Sequence, residues 1–489
     1  MNPHDFPNLR SRRAFFRQAA CAAVGTLSIA TTLRDLRFIN SAVAQGILTD
    51  YKALVCVFLS GGNDSNNLIV PINDYANYAS VRQNLALPEA SLLPLTSLNP
   101  DGNSYGFHPT MSEMQTLFNE QKLAPCFNVG PLVYPMTRAQ YTAGTVPKPP
   151  QLFSHSDQVT HWQTSLPNQP PKSGWGGRIA DLLHPEQFEL LNGVPTANAA
   201  KIALCTSLAG ANTFEVGNVF TQYDVSTTGA VTLGNVSGAR LQTMKDILSV
   251  ADANLQRNAF AGVTKRAIDT GDLLNTAIAP TGSGSYWAAP FPNTSLGNQL
   301  KMVARLIEAG PRPSSGTPPG LDMKRQIFFT TVGGYDTHTS QVQNNGATEA
   351  DRILGSHTNL LNEVSEALFA FQRAMEQIGR EDEVTLFTAS DFGRTFKTNG
   401  QGSDHAWGSH HLVMGGAVRG KRTVGTYPVL SVTGPDAVPT SNEGRWIPKI
   451  SVDQYSATLA KWFGVSASNL STVFPNIGNF EVPDLGFMG

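Results

Sequence analysis

Six short apolar runs, each leading toward a polar or glycine-rich turn, constrain this chain more than any other feature of its sequence. They are ALVCVFLSGGND (53–64), KLAPCFNVGP (122–131), KIALCTS (201–207), RQIFFTTVGGYDTH (325–338), EVTLFTASDFGR (383–394) and HLVMGGAV (411–418). Runs that stay apolar without alternation describe strands covered on both faces, as in a parallel sheet packed between helices. Helical spacing fills the intervals. In 353–378 the apolar positions Ile353, Leu360, Leu361, Val364, Leu368, Phe371, Met375 and Ile378 recur on one face. The stretch 110–121 opens with a capping-box-like pair, Thr110 and Glu113, and 453–464 opens with Asp453 as N-cap and stops at Gly464. Alternating strands and helices predict an α/β fold: a three-layer sandwich with a mostly parallel central sheet.

The interior this requires is available, because 41% of the 489 residues are hydrophobic and only 15% are charged. The stretch 206–300 reads differently. It is rich in Ser, Thr, Asn and Gly, with a hairpin-like part followed by helical sequence over 240–277, and is expected to form an insertion or cap on a single domain spanning 45–489. No basic run or aromatic-interleaved basic stripe accompanies the net charge of −2, so nucleic acid is not an expected partner.

The first 44 residues follow other rules. Ser11-Arg12-Arg13-Ala14-Phe15-Phe16, a mild apolar run and a small-residue cleavage site at 42–45 describe a twin-arginine export signal. Its removal leaves 29 basic and 35 acidic residues. The expected location is therefore periplasmic or secreted, the export machinery is an expected partner, and no apolar run in the mature chain reaches membrane-spanning length. Cys56, Cys126 and Cys205 lie in apolar runs and are expected as buried free thiols rather than a disulfide framework.

Loops at the carboxyl ends of parallel strands build the site of such a sheet. Here they carry Asp64, then Asp336 with His338, then Asp391, with Asp404 and His405 close behind. Singly, each aspartate reads equally well as a turn former or helix cap. Together, carboxylates and imidazoles at one sheet edge form a donor set for a divalent cation, which removes their mutual repulsion. Ser154, in LFSHSDQVTHWQ (152–163), is the candidate nucleophile at a helix N-terminus, where developing negative charge is favoured. Arg394 and Arg178 are candidate oxyanion ligands; the alternative for Arg178 is a structural ion pair.

With these residues in view, the chain resembles a known family. FLSGGNDSNNLIVP, FSHSDQ, SGWGGRIAD, GGYDTH, SDFGRT and GSDHAWGSHHLVMGGAV occur in that order. With the export signal they look like the domain of unknown function 1501 family, exported bacterial proteins of the alkaline phosphatase/sulfatase-like superfamily. The resemblance implies an alkaline phosphatase-like sandwich with metal at its carboxyl edge. It matches Asp64 to the aspartate after the first strand and Ser154 to the nucleophile. It matches Asp336, His338, Asp391 and His405 to the later metal ligands. Phe392 stands where many members place a histidine, which leaves the missing ligand to Asp404 or His405 and leaves room for a single ion. The expected cofactor is one or two divalent ions, zinc or calcium. The expected activity is metal-dependent hydrolysis of phosphate or sulfate esters, the substrate being a small molecule or a polymer. The alternative is a non-catalytic exported binding or assembly protein that keeps the fold, with one metal or none. A redox role lacks its motifs: no C-x-x-C-H and no G-x-G-x-x-G after the first strand.

Overall fold

The computed structural model describes residues 48–183, 202–218, 220–230, 236–250, 254–283 and 285–489. The segment expected as an export signal, 1–44, lies outside the described residues. In chain order the strands are β1 (Lys52–Leu59), β2 (Ile69–Pro71), β3 (Leu93–Leu95), β4 (Tyr105–Phe107), β5 (Leu123–Gly130), β6 (Cys205–Ser207), β7 (Tyr223–Asp224), β8 (Arg325–Val332), β9 (Val384–Ser390), β10 (Ser409–Met414) and β11 (Ile450–Ser451). The helices are α1 (Tyr75–Arg82), α2 (Ser112–Asn119), α3 (Arg138–Ala143), α4 (His155–Thr164), α5 (Trp175–Leu183), α6 (Ala239–Leu248), α7 (Leu255–Ile278), α8 (Ser295–Ala309), α9 (Glu349–Arg352), α10 (Ser356–Gln377), α11 (Val452–Phe463) and α12 (Leu470–Val473).

Each of the six apolar runs contains a strand of one eight-stranded sheet, ordered β11-β5-β10-β9-β1-β8-β6-β7. β1 sits between β8 and β9, parallel to both, with Val55 beside Phe328 and Leu386. Side-chain alternation along β1 supplies both faces. Ala53, Val55, Val57 and Leu59 enter one hydrophobic cluster, with Leu300 of α8 and Leu361 of α10. Leu54, Cys56 and Phe58 enter the other, with Ile179 of α5 and Leu459 of α11. Two helical layers therefore enclose the sheet, as the continuous apolar runs require. Burying each such large aliphatic side chain is worth about 1.5–3 kcal/mol. Cys56, Cys126 and Cys205 are buried and free.

One strand departs from the parallel pattern: β10 runs antiparallel to both neighbours, β5 and β9. Its apolar run gives no sign of this, because a strand buried on both faces reads the same in either direction. The reversal matters for the site, since the amino end of β10 meets the same sheet edge as the carboxyl ends of β9 and β1.

Two caps differ from expectation. Thr110 and Glu113 do not form a capping box. Met111 is the N-cap of α2, while Thr110 and Glu113 both hydrogen-bond to α10, at Asn362 and Ser365. Helix α11 is capped by Ser451, in a full capping box with Gln454, and Asp453 is buried inside the first turn. The stretch 206–300 supplies most of β6 and all of β7 at the sheet edge, then the pair α6 and α7. Among the described residues no helix is long and apolar enough to cross a membrane.

Candidate metal centre

The loops after β1 and β8 touch at the carboxyl edge. Gly61 holds φ 116°, and a Cβ there would run into the Asp336 amide, so only glycine allows the approach. Asp336 follows β8 by four residues, and its Oδ1 is the centre of the cluster. The Nε2 atoms of His338, His405 and His155 lie 3.2, 3.4 and 3.6 Å from that oxygen. His338 Nε2 and His405 Nε2 are 2.8 Å apart. The ligand atoms of His155, Asp336 and His405 all fall within 4.8 Å of one another. Zinc–nitrogen bonds of about 2.0–2.1 Å in a tetrahedron put neighbouring ligand atoms roughly 3.3 Å apart. The observed separations bracket that value.

The far nitrogen of each imidazole explains the convergence. His155 Nδ1 is 2.7 Å from Asp391 Oδ2, His338 Nδ1 is 2.7 Å from Asp404 Oδ1, and His405 Nδ1 is 2.8 Å from the Phe153 carbonyl oxygen. An oxygen acceptor draws the ring proton to Nδ1 and leaves Nε2 as a lone pair aimed at the common centre. His155 Nε2 is buried without a hydrogen-bond partner, as expected of a ligand atom.

The electrostatics fit the same reading. Burial pushes the Asp336 carboxyl upward, but the charge and hydrogen bond of Arg394, with His338 and His155, outweigh it and keep the group below the ordinary carboxylate range. Burial also opposes the Asp404 carboxylate, and the hydrogen bonds from Asn399 and His338 overcome it. Burial lowers His405 from its ordinary value, which favours the neutral, metal-binding imidazole. The Phe392 ring closes one wall, 4.8 Å from the His155 ring and 4.6 Å from the His405 ring.

Asp336, His338 and His405, expected as ligands, are therefore brought together. Asp391 and Asp404 stand one contact behind, as acceptors for ligand histidines. Asp391 Oδ1 also accepts the Gly61 amide at 3.0 Å. Asp64, also expected as a ligand, is not brought to this group. It is fully buried beneath the rim, ion-paired with Arg82 and hydrogen-bonded by Gln341 and Asn66, so its oxygens face protein donors. Arg394, expected as an oxyanion ligand, contacts Asp336 from beneath. Its guanidinium is fully buried and donates to the carbonyls of Ser403, Gly61 and Tyr335 and to Asp336 Oδ1, so it faces protein acceptors rather than an open site. Arg178 is the other residue expected as an oxyanion ligand. On α5 it donates to the carbonyls of Val473, Ser173 and Thr164 and ties together α4, α5 and α12, away from the histidines. Burial lowers it to about 10.

Ser154 is the N-cap residue of α4, between Phe153, whose carbonyl orients His405, and His155. Its hydroxyl donates to Asp157 Oδ2 at 2.6 Å, and the helix start has no side-chain cap. The sequence reading missed His155. Its signal was present, a scarce histidine beside the candidate nucleophile, but it followed no strand.

These features define a three-layer α/β protein with a histidine–aspartate centre at the carboxyl edge of its sheet. Residues 321–441 match the family described as Protein of unknown function (DUF1501). The matched stretch holds Asp336, His338, Asp391, Asp404 and His405; His155 lies outside it. No curated protein matches the chain. Among solved structures, the chain is similar to the C-terminal periplasmic domain of EcEptC from Escherichia coli in complex with Zn. The identity is 8%, with 85% of this chain and 83% of that one covered and a TM-score of 0.30. It is similar to the soluble domain of lipooligosaccharide phosphoethanolamine transferase A from Neisseria meningitidis at 9% identity, 88% and 95% coverage and a TM-score of 0.31. It is similar to the lipoteichoic acid synthase LtaP from Listeria monocytogenes at 7% identity, 84% and 80% coverage and a TM-score of 0.30.

Proposed function

We propose that this chain is an exported hydrolase of phosphate or sulfate esters that works with one zinc ion held by His155, His338, His405 and Asp336. One observation carries the reading: three imidazoles, each fixed at Nδ1 by an oxygen, turn their Nε2 atoms toward one carboxylate oxygen. Three nitrogens and one carboxylate suit zinc; calcium takes six to eight oxygens. The other nearby carboxylates are engaged by protein donors and Phe392 fills the remaining wall, which favours one ion over two.

When bound, the zinc supplies a Lewis acid that polarises an ester oxygen and lowers the pKa of a hydroxyl beside it. The chain's own residues do the rest. Ser154 Oγ attacks phosphorus or sulfur as Asp157 Oδ2 accepts its proton, the ester bond to the alcohol oxygen breaks, and Asp157 returns that proton to the leaving alcohol. The first-turn amides of α4 bind the oxyanion. Water then cleaves the serine ester, restoring Ser154 and releasing the inorganic acid. The substrate, small or polymeric, and passage through the twin-arginine machinery belong to the same proposal.

A second reading has its own support. Four protein ligands form a closed zinc shell, the pattern of structural sites, and both proposed oxyanion arginines are spent on other partners. In that case the chain is an exported binding or assembly protein. Elemental analysis of protein purified without chelator, combined with turnover of aryl phosphate and aryl sulfate, tests the choice. One zinc per chain and turnover that His155→Ala abolishes support the hydrolase. Zinc without turnover supports the second reading, and a metal-free protein without turnover defeats the zinc hydrolase.

A further inference from the structure

We infer that Phe153 and Arg445 are positioning residues, and that the stack of one on the other sets the geometry of the histidine centre. The turn before α4 is held in an unfavourable backbone conformation: Gln151 has φ 49° and Phe153 has φ 74°. Left-handed backbone is rare for any residue other than glycine, and for a bulky side chain it persists only when the surroundings enforce it. The Ser154 amide closes the turn on the Gln151 carbonyl at 3.2 Å.

The enforcement comes from the Phe153 ring. It packs beside a buried cluster that includes Tyr141, Trp407 and Ile447. The Arg445 guanidinium lies over its face, 4.3 Å from the ring centroid, and is itself paired with Glu443 at 2.8 Å. Among the described residues Arg445 has no hydrogen bond or ion pair to His155, His338 or His405. Its side chain meets the turn that carries His155 through the Phe153 ring.

Two of the three imidazoles depend on this turn. The Phe153 carbonyl is the acceptor for His405 Nδ1, so its direction decides which tautomer His405 adopts. His155 follows two residues later at the start of α4 and is delivered by the same backbone. Relaxation of Phe153 to an ordinary conformation swings the carbonyl from His405 and shifts His155 together.

The inference rests on the metal reading above, and the test keeps the two apart. Arg445→Ala and Phe153→Gly, the latter able to keep the left-handed φ but lacking the ring, are compared with wild type and with Lys52→Ala. That control removes a cation over Trp462. Zinc affinity is measured by chelator competition, and the His405 tautomer is read from imidazole nitrogen shifts in the metal-free protein. Expected are an affinity loss of about tenfold or more in both variants, a His405 shift from the Nδ1–H form toward mixed tautomers, and no change in Lys52→Ala. If Arg445→Ala does not fold, Arg445→Lys, which keeps the charge and loses the planar stack, carries the test through a partial loss. Wild-type affinity and an unchanged His405 signal in the folded variants overturn the inference. If wild type binds no zinc, the metal reading fails, and the tautomer shift alone decides this one.

Discussion

Asp391 Oδ2 lies 2.7 Å from His155 Nδ1, across 236 residues of sequence. In the proposed metal site, an aspartate that the chain pattern offers as a ligand holds a ligand histidine in place. Replacing it with Asn keeps the shape and removes the charge that favours the Nδ1–H tautomer. Zinc affinity of Asp391→Asn should fall about 10- to 100-fold with the fold retained, as measured by chelator competition and circular dichroism. Unchanged affinity would place Asp391 in a purely structural role through its bond to the Gly61 amide.

Asp64 should behave in the opposite way. Its carboxylate and the Arg82 guanidinium are both fully buried. Asp64→Ala strands a buried charge, at a cost of about 3–5 kcal/mol. Denaturant unfolding should show that loss, while the fraction that remains folded still takes up zinc. Abolished zinc uptake with unchanged stability would return Asp64 to the ligand set.

Stability should peak near pH 6–7. Burial depresses His108, His410 and His411 to about 3 and His357 to about 4. Their native values lie below the unfolded one. The stability they contribute is therefore complete above about pH 6.5 and is lost as the pH falls, at about 1.4 kcal/mol per pH unit for each group. Burial raises Asp453 to about 7 and Glu215 to about 8. Those groups favour the native state at low pH and oppose it as the pH climbs from about 4 to 8. Below pH 6 the histidines outnumber the acids and stability rises with pH; from about 6.5 the acids dominate, and above 7 Glu215 carries the decline to about pH 8. Urea midpoints from pH 4.5 to 8.5 check the shape, and a curve still rising at pH 8 would contradict it.

Metal removal supplies a fourth check. A ligand that binds only the native state adds about 4 kcal/mol when present at a thousand times its dissociation constant. Stripping zinc with chelator should lower the melting temperature of wild type and leave that of His155→Ala unmoved. Equal shifts in both proteins would mean that the chelator acts elsewhere.

The sequence made the sheet legible because a strand covered on both faces is dominated by apolar residues: Ala53–Leu59 is apolar throughout, and Val384–Ser390, with two threonines and a serine, is buried along its whole length. It also brought Asp336, His338 and His405 to one rim, since the carboxyl ends of neighbouring strands have to meet. Strand direction was not legible, because Leu412, Val413 and Met414 would be buried in either sense. Nor were the roles of Asp64, Arg394 and Arg178. An ionised side chain after a strand carries the same letter whether it faces a ligand or a protein partner, and only the Arg82 and carbonyl contacts decide. His155 was hidden because it reaches the rim from a helix start, where periodicity points to the cap.

The reversal of β10 has a consequence for how such a site can diversify. The span from Asp391 to Gly408 is a bridge whose two abutments, β9 and β10, are adjacent planks of one rigid floor. Residues can be added or lost along its crown, re-aiming Asp404 and His405 toward a different guest, while the planks beneath keep their registration.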